Sequence, residues 1–251
     1  MDHASIEQAA AALVAARRDM TTLPGLPNGT SPASAAEAHA IQDATTRLLG
    51  ATVAAYKTMT RGSQPTERGL IYAGTVHATP ASVPAKTVPQ CGVEGEVAFV
   101  LRRPLPARAT PYTREEVAGA VEPLAAIELV HSRFAPDAPV GALDKLADCV
   151  SNAGLVTAPP LADWHALQLG ALHVTLTVNG RTILSRAGGH VTGDPLDVAV
   201  AFVNLMRESD GLPEGAVVTC GTFTGLEFLK PNDTCTVRFD GLGEATVTFT
   251  A

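Results

Sequence analysis

The most apolar stretch of this chain, residues 93–101, begins with two glutamates, Glu94 and Glu96. If the stretch is a strand, its period of two places both carboxylates on one face, which continues with Ala98 and Val100. The other face is wholly apolar, so neither face resembles a solvated surface. Two carboxylates at ~4 Å repel by roughly 4 kcal/mol even with an effective dielectric of about 20. The pair therefore needs basic side chains or a divalent cation beside it, and oxygen-only ligands favour Mg²⁺ or Mn²⁺.

Composition excludes several classes of partner. The chain of 251 residues has a formal net charge of −7 and only 18 Lys and Arg residues, so it lacks the basic stripe that nucleic-acid binding requires. Its four cysteines are widely spaced, which is typical of reduced thiols in a cytoplasmic protein. The N-terminus has no secretory pattern, and no uninterrupted apolar run reaches about 18 residues. We expect a cytoplasmic protein without nucleic-acid or membrane partners.

Local patterns predict helices first and strands later. Capping patterns predict helix starts at Ser5, Ser34, Thr113 and Asp194. Alternating residues predict several strands after residue 51, including a hairpin that turns at Asn179 and Gly180. We therefore expect an α+β protein, with an N-terminal helical subdomain over residues 1–50 and a β-rich catalytic domain over residues 51–251 that carries the metal site.

Two further charges stand in apolar strand patterns, Lys57 in residues 53–59 and Glu128 in residues 125–130. Lys57 is either a core-edge lysine paired to a carboxylate, or a substrate anchor or proton donor with a depressed pKa. Glu128 by itself is typical of a salt-bridged structural acid. Because each misplaced charge needs an opposite one, one shared site is favoured. Glu94, Glu96 and Glu128 together offer the oxygen ligands that Mg²⁺ prefers.

Other chemistries have weaker support. No G-x-S-x-G motif indicates a serine nucleophile, and the histidines lack zinc-ligand spacing. The glycine-containing segment 221–225 is interpreted as a turn, with the alternative that Thr222 donates a hydrogen bond to a bound anion.

Short motifs in a fixed order run along nearly the whole chain. They are residues 38–42, Tyr56-Lys57, residues 94–101, 127–133, 147–148, 151–154, 193–195, 221–224 and 242–243. This ordered set resembles the fumarylacetoacetate hydrolase superfamily, and more closely its branch of 2-keto-4-pentenoate hydratases and 2-oxo-3-hexenedioate decarboxylases. The resemblance implies a mixed β-roll core with N-terminal and peripheral helices, and a homo-oligomer.

The resemblance also implies roles for individual residues. Glu94, Glu96 and Glu128 would be the ligands of Mg²⁺ or Mn²⁺, and Lys57 would be an active-site residue near the substrate carboxylate. We expect Ser151 and Thr222 to contact the substrate together with Lys57.

This chain departs from the family pattern at several positions. His131 stands where the family has Asp, Cys149 where it has Asn, and Ala55 where it has Gly. The acid expected after the lysine strand is out of register, so Glu67 in the segment 64–69 is the candidate catalytic acid. These changes leave the three expected metal ligands in place and alter the residues that are expected to transfer protons.

The leading hypothesis is a lyase for small 2-oxo acids that hydrates 2-hydroxypenta-2,4-dienoate in the breakdown of aromatic compounds. The first alternative is a 2-oxo-3-hexenedioate (4-oxalocrotonate) decarboxylase, which the segment 151–156 favours slightly. A C–C bond hydrolase of the same superfamily and a non-catalytic ligand-binding homologue remain further alternatives.

Overall fold

The computed structural model describes residues 1–59 and 66–251, so Gln64 and Pro65 of the displaced acidic motif lie outside the described residues. The helices are α1 (His3–Asp19), α2 (Ala35–Leu49), α3 (Arg114–Ala118), α4 (Ala142–Ala147) and α5 (Pro195–Met206). The strands are β1 (Val53–Met59), β2 (Glu67–Tyr72), β3 (Val76–Ala78), β4 (Ala81–Pro84), β5 (Gly92–Leu101), β6 (Val121–Val130), β7 (Asn152–Thr157), β8 (His173–Val178), β9 (Arg181–Ala187), β10 (Val217–Phe228), β11 (Thr234–Phe239) and β12 (Gly243–Thr250). The α+β prediction is confirmed.

Most predicted helix starts are confirmed by their caps. The Ser34 hydroxyl accepts a hydrogen bond from the Glu37 amide at 3.3 Å, and Asp194 caps α5 with Pro195 at the first helical position. Thr113 opens α3 with a reciprocal capping box. The predicted start at Ser5 is wrong, because Asp2 is the cap and its carboxylate accepts the Ser5 amide at 2.8 Å.

Seven strands form one mixed sheet in the order β2-β1-β10-β5-β6-β7-β3. β1 pairs parallel with β10, although the two strands are far apart along the chain, and β10, β5, β6 and β7 pair antiparallel. The sheet curls until β2 contacts β7, and we call this curled sheet the roll. The face of β5 that carries Glu94, Glu96 and Ala98 lines the inside of the roll.

A second sheet covers the outside of the roll. Its order is β4-β12-β11-β8-β9. The outward residues of β5, among them Val93, Val97 and Phe99, are buried in one core cluster with inward residues of the second sheet such as Val237 and Val247. The sequence alternation therefore assigns the two faces of β5 correctly, since one face packs between sheets and the other lies inside the roll.

The inside of the roll is apolar at one end. Six buried side chains from five strands fill it, and we call them the apolar floor: Ala55, Ile71, Ala98, Leu124, Ala126 and Leu155. The charged residues predicted for the site lie beyond this floor, toward the end of the roll where β1 leads to residue 60 and β5 begins.

The N-terminal helices pack beside the roll rather than in it. Ile41 of α2 and Leu13 of α1 are buried in a separate cluster with Leu146 of α4. The Gln42 side-chain amide donates to the backbone carbonyls of Arg68 and Leu146 at 2.9 and 2.6 Å. The division of the chain at residue 50 remains a prediction. None of the described helices combines the length and apolar character of a membrane span.

The packing of the second sheet on β5 predicts that Gly95 tolerates no side chain. A Cβ at this position would lie 2.7 Å from Val237 Cγ1 and 2.8 Å from Thr224 Cγ2. Gly95→Ala should lower the free energy of unfolding by about 1–3 kcal/mol in urea denaturation with chelator present, because the two sheets must separate locally. Gly74→Ala is the matched control, since no atom lies within 4 Å of its Cβ, and it should change stability by less than about 0.5 kcal/mol. Equal losses in the two variants would contradict this packing.

Candidate metal centre

The three predicted glutamates meet inside the roll. Glu94 on β5 lies directly opposite Glu128 on β6 in the strand register, and Glu96 is the next residue of β5 on the same face. One carboxylate oxygen from each lies within 4.8 Å of the other two. The predicted convergence of these acids, which we call the acid cluster, is therefore present in the fold.

Lys57 enters the acid cluster from β1. Its Nζ lies 2.9 Å from Glu128 Oε1 and 3.7 Å from Glu94 Oε2. Glu128 is fully buried and Glu96 nearly so, whereas the Glu94 side chain is 15% exposed. The hypothesis of one shared site therefore agrees with the structure, and pairing with carboxylates explains how the lysine is buried.

Two residues that the sequence analysis did not assign hold the buried acids in place. Thr219 of β10 donates its hydroxyl hydrogen bond to Glu96 Oε2, which also accepts the Gly221 amide at 2.9 Å. The Asn152 amide donates to Glu128 Oε1 at 2.9 Å. Both are polar residues in or beside apolar strands, and that pattern was the available signal for them. These donors orient the carboxylates, because each contact fixes one oxygen.

The donor set fits a hard divalent cation. Octahedral Mg²⁺ binds oxygens at ~2.1 Å, which separates neighbouring ligands by ~3 Å and opposite ligands by ~4 Å. The spacing of the acid cluster is compatible with these values. Glu128 Oε2 is buried without a hydrogen-bond partner among the described residues, so it is available for a ligand bond. The predicted ligands Glu94, Glu96 and Glu128 could therefore hold Mg²⁺ or Mn²⁺.

Burial and mutual repulsion shift the titration of the cluster. Burial raises the pKa of Glu128 to about 7, against the opposing charge of Lys57. Burial, together with the neighbouring carboxylates, also raises the pKa of Glu94 and of Glu96. Burial alone would lower the pKa of Lys57, but Glu128, Glu94 and Glu96 outweigh it and raise that pKa above its ordinary value. Among the two alternatives for Lys57, these contacts agree with a lysine paired to carboxylates, and the neighbouring acids shift its pKa in the opposite direction from the depressed value.

A short turn before β7 brings the backbone to Lys57. Cys149, Val150 and Ser151 all have positive φ, at 52°, 54° and 62°. Residues other than glycine rarely adopt this conformation, which costs of order 1–3 kcal/mol for each residue. The turn places the Val150 carbonyl oxygen 3.4 Å from Lys57 Nζ. It fits because Gly69 has no side chain, and a Cβ there would lie 2.8 Å from the Cys149 carbonyl oxygen.

Buried ion pairs hold this turn. Asp148 immediately precedes it and has no exposed side-chain surface. Its carboxylate pairs with Arg133 Nε and accepts the Arg133 amide at 3.0 Å, and Arg17 of α1 lies 3.4 Å away. Arg133 also donates to the carbonyls of Asp148 and Asn152, at 2.7 and 2.8 Å. These contacts span the turn on both sides and offset the cost of its backbone conformation.

The remaining candidates lie near the cluster in different ways. Ser151 ends the strained turn, and its carbonyl accepts the His131 amide at 2.9 Å. Thr222 lies opposite Glu96 in the strand register, but its hydroxyl accepts the amides of Thr224 and Gly225 at 3.1 and 2.9 Å. That hydroxyl therefore closes a turn within β10, and its role as a substrate contact stays a prediction.

Glu67 begins β2 opposite Met59, two residues from the pair formed by Gly69 and Lys57. Side chains two residues apart share a face of the sheet, so the backbone register directs Glu67 toward the inside of the roll, on the open side of Lys57. Its candidacy as a catalytic acid stays a prediction.

Two of the departures from the family pattern, His131 and Cys149, leave uncharged groups beside the turn. Burial, followed by the charge of Arg133, lowers the pKa of His131 to about 4, so its imidazole is neutral near pH 7. Burial raises the pKa of the Cys149 thiol. Neither side chain therefore adds charge near the acid cluster at neutral pH.

Metal binding should weaken as the pH falls below 7. A proton on Glu128 competes with the ion, and its raised pKa places that competition near neutrality. The affinity for Mg²⁺ should fall ~tenfold per pH unit below pH 7 and level off above it. Calorimetry in two buffers of different ionisation enthalpy should detect about one proton released per ion at pH 6. A constant affinity from pH 5.5 to pH 8 would contradict the assignment of Glu128 as a ligand.

Removing the charge of Asp148 should destabilise the protein strongly. Asp148→Asn leaves Arg133 buried without its counter-ion, so the free energy of unfolding should fall by about 3 kcal/mol. Asp43→Asn is the matched control, because Asp43 also pairs with an arginine but its side chain is 59% exposed. The control should cost less than about 1 kcal/mol by urea denaturation. If both variants unfolded at the same urea concentration, the stabilising role of the buried pair of Asp148 and Arg133 would be contradicted.

Comparison with known proteins places this geometry in a family. The family model described as fumarylacetoacetate (FAA) hydrolase C-terminal matches residues 54–250. The 2-keto-4-pentenoate hydratase of Paraburkholderia phymatum is 29% identical over an alignment of 262 positions, gaps included, which covers 99% of this chain and 98% of that protein. The 4-oxalocrotonate decarboxylase of Pseudomonas putida is 27% identical over 175 residues, which cover 67% of this chain and 66% of that protein.

The fold has a solved counterpart of nearly the same length. The 4-oxalocrotonate decarboxylase from Pseudomonas putida G7, complexed with magnesium and adipate, superposes with a TM-score of 0.86 at 20% identity. The match covers 99% of this chain and 98% of that chain, which confirms the predicted β-roll architecture. Relatives of both predicted kinds, hydratase and decarboxylase, are found, and the match to the family model covers most of the chain. The chain therefore belongs to the fumarylacetoacetate hydrolase family.

Proposed function

We propose that this protein is a divalent-metal-dependent lyase of small 2-oxo acids, and that it hydrates 2-hydroxypenta-2,4-dienoate in the breakdown of aromatic compounds. The observation that carries the proposal is the convergence of three buried glutamates around one lysine. The similarity to the Paraburkholderia hydratase extends over nearly the whole of both chains, which supports the choice of hydration.

The acid cluster defines what the site can bind. Glu94, Glu96 and Glu128 would hold Mg²⁺ or Mn²⁺. The solved decarboxylase from Pseudomonas putida G7 is complexed with magnesium. Such an ion, when bound, supplies Lewis acidity to the carboxylate and 2-oxo oxygens of a 2-oxo acid. Thr219 and Asn152 keep the buried carboxylates oriented before a ligand arrives, so little reorganisation is needed on binding.

Among the described residues, Lys57 is the cationic group that lies within the cluster. Its neighbours raise its pKa, so it is protonated at neutral pH and can anchor an anionic carboxylate or donate a proton. A protonated lysine is a poor base. We therefore assign proton abstraction to Glu67, whose position on β2 directs it toward the same space. Ser151 and Thr222 remain proposed substrate contacts.

The decarboxylase reaction is the second candidate. The structural similarity to the Pseudomonas putida G7 enzyme supports it, and both reactions place negative charge on the 2-oxo oxygen. A C–C bond hydrolase needs a general base that activates water. His131 and His190 both have lowered pKa values, but among the described residues neither forms a hydrogen bond with the acid cluster, so this candidate has less support. Assembly as a homo-oligomer remains part of the proposal.

Loss of one metal ligand should abolish turnover without unfolding the protein. Glu96→Gln should lower kcat/KM for 2-hydroxypenta-2,4-dienoate by at least ~100-fold in the presence of Mg²⁺, because the transition-state charge loses its counter-ion. Glu122→Gln, also on a strand of the roll but paired with Arg102 at 3.2 Å, is the matched control and should retain activity. Unchanged turnover in Glu96→Gln after chelation would refute the proposal.

Loss of the lysine should separate catalysis from metal binding. Lys57→Met should impair turnover while metal binding persists in calorimetry.

The same assays separate the alternatives. Release of CO₂ from 2-oxo-3-hexenedioate without hydration of the dienoate would favour the decarboxylase. Metal-dependent binding of oxalate without turnover of either substrate would favour a ligand-binding homologue.

A further inference from the structure

A ligand at the acid cluster cannot extend deeper into the roll. Beyond Glu96, the next residue of β5 on the same face is Ala98, which belongs to the apolar floor. All six floor residues are buried, and they come from five strands that close around them. The carbon chain of a bound 2-oxo acid must therefore leave in the opposite direction.

Exposure increases in that opposite direction along β5. The Ala98 residue has no exposed surface and Glu96 is 1% exposed, whereas the Glu94 side chain is 15% exposed. The next position of the same face is Gly92, where the ladders to β6 and β10 end. The open end of the roll is therefore at Glu94, since Gly92 itself is buried beneath Val130 and Leu226.

Two exposed apolar side chains border this opening. Leu226 lies opposite Glu94 and Phe228 opposite Gly92 in the register of β10 with β5. Directly paired residues share a face of the sheet, and a Cβ at Gly92 would lie 3.2 Å from Leu226 Cδ1. Leu226 is 41% exposed and Phe228 61% exposed. The two pairs lie ~7 Å apart along the strands, which is within reach of a short carbon chain that starts at the acid cluster.

We infer that Leu226 and Phe228 contact the carbon chain of the bound 2-oxo acid and select substrates whose far end is apolar. The inference rests on the proposed function, and it makes the enzyme a hydratase of short dienoates in preference to a decarboxylase of dicarboxylates. Each methylene buried against these side chains would increase affinity about fourfold. A second carboxylate placed against them would lose hydration without gaining a partner.

Calorimetry with unreactive ligands tests this selection without turnover. With Mg²⁺ present, 2-oxopentanoate should bind about tenfold more tightly than pyruvate, and 2-oxoadipate should show no such gain. Leu226→Ala and Phe228→Ala together should remove the gain for 2-oxopentanoate and leave the affinity for pyruvate unchanged. Ile183→Ala on β9, which truncates an apolar side chain that is 46% exposed, is the matched control and should change neither affinity.

Three results would overturn the inference. The first is a gain for 2-oxopentanoate that persists in the double variant. The second is tighter binding of 2-oxoadipate that disappears in Lys230→Met, since Lys230 follows Phe228 by two residues. The third is a change in oligomeric state of the double variant by light scattering with the substrate preference intact, which would assign the patch to contact with a second copy. If pyruvate itself shows no Mg²⁺-dependent binding, the proposed function fails and this inference fails with it.

Discussion

The charges of the acid cluster and Lys57 do not cancel, and this imbalance organises the described part of the site. Three glutamates face one lysine, so the four groups carry a net charge of −2 when all are ionised. Water can screen little of this net charge, because Glu128, Glu96 and Lys57 are buried. Burial, together with repulsion between the carboxylates, raises their pKa values, so protonation relieves the imbalance in part. One divalent cation would neutralise it completely, and the donors Thr219 and Asn152 keep the oxygens in place for that ion.

Much of this arrangement could be predicted from the sequence. The period of two assigned Glu94 and Glu96 to one face, because a strand alternates whatever its neighbours are. The need of each buried charge for an opposite one linked Glu128 and Lys57 to them. The register could not be predicted, since the pairing of β1 with β10 and of Glu94 with Glu128 depends on how the whole sheet closes.

Other features left little signal in the sequence. The turn at Cys149, Val150 and Ser151 contains no glycine, so its left-handed backbone is imposed by the contacts of Asp148 and Arg133 rather than by local preference. The depressed pKa that was one of two alternatives for Lys57 has the opposite direction, because it weighed burial without the summed charge of three acids. The cap of α1 was assigned to Ser5, although Asp2 offers an equally good capping side chain three residues earlier.

The contact between Arg17 and Asp148 joins α1 to the strained turn. Arg17 lies outside the segment that matches the family model, which begins at residue 54, whereas Asp148 lies within it. A helix outside that segment therefore contacts the turn whose Val150 carbonyl lies near Lys57 and which is followed by Asn152, the donor to Glu128. A substitution at Arg17 would therefore act on the surroundings of Lys57 from outside the roll, while the three glutamates and every strand of the roll stay the same.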